Sequence, residues 1–120
     1  MKRVFVGFHD ADAKKVVLEY GPDGPIDLGL YHGPAAIPGF WSWGYPSPGT
    51  TRLAIALLSA VLGSRPTDPE LIGAFAQYAL MYFATNHWVL PEEVVENFVR
   101  RWNRDWLTAK QEGHDACANP

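Results

Sequence analysis

The sequence predicts an α+β domain in which short N-terminal antiparallel strands pack on three helices, the central one fully apolar. Three observations carry that prediction. Two runs rich in β-branched and aromatic residues open the chain, two Pro-led helix starts fall in its second half, and an apolar block from Leu53 to Leu62 lies between them. A helix without a polar face has to be covered on every side, so the other elements are expected to pack around that block.

Arg3 to Phe8 (RVFVGF) and Lys15 to Tyr20 (KVVLEY) have the composition of strands. The polar link from His9 to Lys14 is short enough for a hairpin, although Asn-Gly and Asp-Gly are absent from it. Gly21-Pro22-Asp23-Gly24-Pro25 combines fixed and permissive backbone positions and marks a turn, after which Ile26 to Tyr31 reads as a third strand. His32-Gly33-Pro34 then opens a loop that runs to Pro48. The central helix is expected to start at Thr50 or Thr51, either of which can cap free N–H groups. Its expected end is Gly63, which suits the left-handed position after a helix. Leu53, Ile55, Leu57, Leu58, Val61 and Leu62 each contribute roughly 1.5–3 kcal/mol if buried, so this helix should dominate the core.

Asp68-Pro69-Glu70 is a second helix start: Asp68 caps, Pro69 takes the first turn, and Glu70 meets the positive helix end. That helix is expected to reach about Thr85, with Leu71, Phe75, Leu80 and Phe83 among its packing residues. Trp88-Val89-Leu90 reads as a short extended piece, and Pro91-Glu92-Glu93 opens a third helix running to about Lys110. Val94, Val95, Phe98, Val99, Trp102 and Trp106 recur every three or four residues and form one apolar stripe on it. Residues 1–110 are read as a single compact domain and 111–120 as a frayed tail.

Composition narrows the function classes. With 120 residues, 48% hydrophobic and 19% charged, the chain is expected to fold as one domain with one core. A net charge of −3 supplies no broad positive field, so neither nucleic acid nor an anionic membrane is an expected partner. The longest apolar run, Leu53 to Leu62, is too short to span a bilayer. The single cysteine, Cys117, excludes an internal disulfide, and Met1-Lys2-Arg3 leads into a strand-like run rather than a signal-peptide core. The expected location is the cytoplasm.

Gly39-Phe40 and then Trp43-Gly44-Tyr45, followed by a small-residue turn and an apolar helix, resemble the small-protein family known as domain of unknown function 6166. Trp88-Val89-Leu90 matches its late Trp-x-Leu segment. The chain departs from the family pattern by the extra pair Trp41-Ser42 and by Pro46-Ser47-Pro48-Gly49, where the family is richer in glycine. The resemblance implies an N-terminal strand pair and an Ala/Leu-rich helix, and it brings no established activity. Members of that family are often carried by phages, plasmids and prophage-like regions, so the resemblance implies an accessory or host-takeover role.

The candidate site follows from the loop and the helix start. Gly49, Thr50, Thr51 and Arg52 combine a helix N-terminus with hydroxyls and a guanidinium, an arrangement suited to an anion; simple capping is the competing reading. The GxxxxGK[ST] pattern of a P-loop is absent. Trp41, Trp43 and Tyr45 are candidates for an aromatic recognition surface. Against that, the family-like spacing favours Trp43 as a plug for the core, and Trp41, inside the departure, is expected to be the exposed one. His9-Asp10 with Asp12 reads as a hairpin link, and His114 with Cys117 sits on the tail, so no catalytic residue, metal ligand or cofactor is assigned. Arg100, Arg101 and Arg104 read as a solvated face beside the last helix's stripe.

The expected function is non-enzymatic binding of a macromolecular partner, a protein, in phage–host or mobile-element biology. The alternative is a phosphate- or carboxylate-bearing small molecule held at the Gly49–Arg52 helix start. If the stripe on the last helix is incompletely covered, a homodimer is expected.

Overall fold

The computed structural model describes residues 2–22, 24–28, 41–83 and 86–104. The elements run β1 (Val4–His9), β2 (Lys15–Gly21), β3 (Gly24–Asp27), α1 (Pro48–Leu62), α2 (Pro69–Tyr78), a 3-10 turn (Leu80–Tyr82) and β4 (His87–Pro91). A third helix, α3, follows over residues 92–104. The strands form one antiparallel sheet in the order β3-β2-β1-β4. The fold is α+β.

Each hairpin is held by its own linker. In the β1–β2 link the Asp10 carboxylate accepts from the N–H groups of Asp12 and Lys14, both at 2.9 Å. Gly21 pairs with Gly24 across the second turn, so β3 begins earlier than the sequence suggests. Of the expected third strand, residues 29–31 lie outside the described residues.

The sheet gains a strand that sequence reasoning left as an isolated extended piece. β4 lies along β1 with Trp88 opposite Gly7 and Leu90 opposite Phe5. Gly7 is required there: a Cβ built on it falls 2.2 Å from the Trp88 indole, which lies flat across the missing side chain. Phe5, Val17, Trp88 and Leu90 point to one face of the sheet and join Leu53, Leu57, Leu58, Phe75, Leu80 and Val95 in a single buried core.

The ends of α1 differ from expectation at one terminus only. Ser47 is the N-cap, its Oγ accepting from Thr50 N–H at 3.2 Å, and Thr50 and Thr51 lie inside the helix. Ser47-Pro48 repeats the logic of Asp68-Pro69, a capping side chain followed by a proline whose absent N–H costs nothing in the first turn. At the other end Gly63 caps as expected, with φ 76° and its N–H on Ser59 O. Most of α1 is enclosed, but Thr51 and Leu62 are exposed and Ile55 and Val61 only partly covered.

α2 starts as expected, with Asp68 Oδ1 accepting from Glu70 N–H at 2.9 Å. It stops at Tyr78, well short of Thr85, because the chain tightens into the 3-10 turn that buries Leu80. The Leu80 carbonyl there accepts from Gly44 N–H at 2.9 Å, which ties the aromatic loop to this turn. On α3 the stripe divides. Val95 is fully buried and Phe98, Val99 and Trp102 pack on the core, whereas Val94 is 48% exposed. Trp106, Lys110 and the 111–120 tail lie outside the described residues.

Candidate functional site

The loop from Trp41 to Ser47 is built inward. Trp41, Ser42 and Trp43 are all buried. Trp43 makes an edge-on contact with Trp88 at 5.5 Å and lies 5.9 Å from the His9 ring, so it plugs the open end between β1 and β4. Trp41 corrects the sequence reading: it is 4% exposed and belongs to the core cluster. The reason is local. Ser42 faces the first turn of α1 closely enough that a Cβ on Gly49 would sit 2.6 Å from its Oγ, so the loop lies flat on the helix and both flanking indoles are enclosed. Gly49 permits that approach.

Gly49 and Thr50 are buried as well. The Thr50 hydroxyl donates to Tyr45 O at 2.7 Å, and the N–H groups of Thr50 and Thr51 both reach Ser47 O. The helix start is therefore largely satisfied by its own loop. A cleft of about 340 Å³ beside it is lined by Pro46, Ser47, Thr51, Gln77 and Met81 among others, with no charged side chain in its wall. Arg52 is partly exposed and does not line that cleft. Of the seven sequence-chosen residues, the exposed ones are Tyr45 and Thr51.

Tyr45 has a defined environment. It is 48% exposed, and its hydroxyl lies 3.3 Å from Ser42 Oγ. The Lys15 ammonium stands 5.0 Å from its ring centroid and 5.2 Å from that of Trp43. The Ser42 hydrogen bond first, and then the Lys15 charge, hold the Tyr45 phenol below its ordinary range. The cationic partner that this aromatic pair attracts is thus already supplied from β2.

A larger concavity lies elsewhere. Residues of α2, β4 and α3 line a groove of about 720 Å³. Phe75, Phe83, Leu90 and Phe98 supply its apolar lining, Tyr78 and Val94 flank it, and Asn97 and Arg101 add polar groups. Tyr78 is 64% exposed, and Tyr82, on the adjoining 3-10 turn, is 81% exposed. Sequence reasoning missed this groove because it merged two adjacent stripes of α3. Val95 and Val99 face the core, Val94 and Arg101 line the groove, and Phe98 and Trp102 do both. An apolar arc wider than one stripe was the available signal.

Among the described residues no group of three or more His, Cys, Asp and Glu side chains gathers in a metal-binding arrangement, and no helix is long and apolar enough to cross a membrane. His32, His114 and Cys117 lie outside the described residues.

A four-stranded antiparallel sheet backed by helices, with a buried aromatic loop at one end, defines a small α+β domain. The chain belongs to the Family of unknown function (DUF6166), which it matches over residues 5–105. That span contains all three helices as described and all four strands except Val4, the first residue of β1. No curated protein and no solved structure matches it.

Proposed function

We propose that this protein is a non-enzymatic binding protein that recognises a protein partner through the groove between α2 and α3, in the phage–host or mobile-element setting that its family suggests. The observation that carries this reading is the groove itself, an apolar concavity bordered by the exposed ring of Tyr78. Rigid aromatic side chains at the edge of a desolvated pocket are the usual energetic anchors of protein recognition. The amphipathic helix of a partner fits a cleft between two helices by the same ridge-and-groove packing that joins helices within a domain. Anion binding at Gly49–Arg52 takes second place, since Ser47 already satisfies that helix start and the neighbouring cleft has an uncharged wall.

The test is affinity capture from a host lysate with the wild type, Tyr78→Ala, Val94→Lys and Tyr45→Ala. A partner retained by the wild type and by Tyr45→Ala, but lost with both groove variants, supports the reading. A partner indifferent to both groove variants sinks it. A thermal-shift screen with inorganic phosphate and nucleotides tests the second reading, because a ligand at 100 times its Kd stabilises by about 2.7 kcal/mol.

A further inference from the structure

Tyr45 differs from the other surface tyrosines in what surrounds its phenol. Tyr20, Tyr78 and Tyr82 are exposed as well, but among the described residues none of them has a hydrogen-bonded hydroxyl or a cation at its ring. Tyr45 has both.

Two segments supply these neighbours. Lys15 opens β2 opposite His9 of β1, on the side of the strand that carries Val17 and Glu19 inward. Its ammonium stands 5.2 Å from the Trp43 ring centroid and 5.0 Å from that of Tyr45. Among the described residues no carboxylate forms an ion pair with Lys15, so its charge acts on the two rings. Ser42 comes from the aromatic loop itself. It is buried, held in its close contact with Gly49, and its Oγ lies 3.3 Å from the Tyr45 hydroxyl.

Both neighbours favour the phenolate. A cation beside an aromatic ring is attracted more strongly once the ring carries negative charge, and a serine hydroxyl that accepts from a phenol can rotate to donate to the oxyanion. Ser42 first, and then Lys15, accordingly hold the phenol below its ordinary range. A lowered pKa is one of the means by which a weak nucleophile becomes active near neutral pH. The residue is half exposed, which leaves it open to a reagent.

The geometry points to Tyr45 as a covalent modification site, a nucleophilic phenol that takes an acyl group from an activated acyl donor. Tyr45 Oη attacks the carbonyl carbon, an ester C–O bond forms as the bond to the leaving group breaks, and the phenol proton departs with that group. Lys15 and Ser42 are positioning residues that act through the phenol. Tyr45 lines neither the α2–α3 groove nor the cleft beside α1, so its modification stands apart from docking in the groove.

N-acetylimidazole, an acyl donor with imidazole as its leaving group, tests this on the folded full-length chain at neutral pH. Limiting reagent is used, sites are mapped by mass spectrometry, and release by hydroxylamine separates phenol esters from acetylated lysines. Tyr45 is expected to be acetylated ahead of Tyr78 and Tyr82, the reverse of the order that exposure alone gives. Lys15→Met should slow acetylation of Tyr45 by at least about threefold, the scale set by one unit charge at this range near a protein surface, and leave Tyr78 and Tyr82 unchanged. The wild-type order needs no variant, so the test holds even where Lys15→Met fails to fold. Acetylation that follows exposure, with Tyr82 and Tyr78 ahead of Tyr45, overturns the inference, and so does a Tyr45 rate that Lys15→Met leaves unchanged.

Discussion

Arg3 and Glu92 grip each other through both backbone and side chain. Glu92 N–H donates to Arg3 O at 2.8 Å, and Arg3 N–H donates to Glu92 Oε2 at 2.8 Å. The Arg3 guanidinium reaches Glu92 Oε1 through Nη2 at 2.6 Å and Nε at 3.2 Å, while Nη1 holds Glu19 at 3.0 Å. One side chain therefore fastens the start of α3 to β1 and neutralises a carboxylate on β2. Glu19 is 4% exposed and lies on the core side of the sheet, where an unpaired charge is costly. Arg3→Met is expected to destabilise the fold by about 3 kcal/mol in urea unfolding. Arg3→Met with Glu19→Gln should recover part of the loss, because the second change removes the orphaned charge.

The same pair sets an acid limit. The hydrogen bond from the Arg3 side chain is the largest cause holding the Glu92 carboxyl below its usual value of 4.5, with the Arg3 backbone N–H and charge adding to it against desolvation. A carboxyl depressed in the folded state contributes stability that is fully present above the unfolded pKa and is lost as pH falls through the folded value. Urea midpoints should thus hold between neutral pH and pH of about 5, then fall below about 4.5. Glu92→Gln should flatten that acid limb while lowering the neutral plateau. An unchanged acid limb would assign the effect to other carboxylates.

Two helical glycines are predicted to respond in opposite directions to alanine. Gly49→Ala forces a Cβ to within 2.6 Å of Ser42 Oγ and 3.1 Å of Ser42 N, so the loop must lift, at a cost of about 1–3 kcal/mol. Gly73 sits exposed within α2 with nothing near its Cβ position, and Gly73→Ala is expected to stabilise by about 0.5–1 kcal/mol. Thermal melts of the two variants decide whether close approach to the loop, rather than helix propensity, explains Gly49.

What was legible in the sequence was local chemistry. Asp68-Pro69-Glu70, Gly63 and the two hairpin strands each announce themselves within a few neighbouring residues, and each is found where expected. Ser47-Pro48 carries an equally clear cap signal, which the threonines after it compete with in the sequence. β4 was illegible for a different reason: its membership in the sheet depends on Gly7 accepting the Trp88 indole from the far end of the chain. The candidate site fared worse than the fold for the same cause. A surface tryptophan and a buried one look alike in sequence, and only the approach of Ser42 to Gly49 encloses Trp41.

Trp41 and Tyr45 separate core from surface within one loop. Both are aromatic, four residues apart, and both were candidates for the same recognition surface. Trp41 lies in the core at 4% exposure, so Trp41→Ala deletes a buried indole and leaves a cavity that the close-packed loop cannot collapse, at about 3–5 kcal/mol. Tyr45 is 48% exposed, and its side chain contributes a long hydroxyl contact to Ser42 and a ring beneath Lys15. Tyr45→Ala should therefore cost no more than about 1 kcal/mol, the scale of one exposed cation–π contact. The two variants are compared by urea unfolding, and indole burial is followed independently through tryptophan fluorescence. Equal, small losses would place Trp41 at the surface after all and return the aromatic loop to candidacy as the recognition site, whereas a large gap between them leaves the α2–α3 groove as the better docking surface.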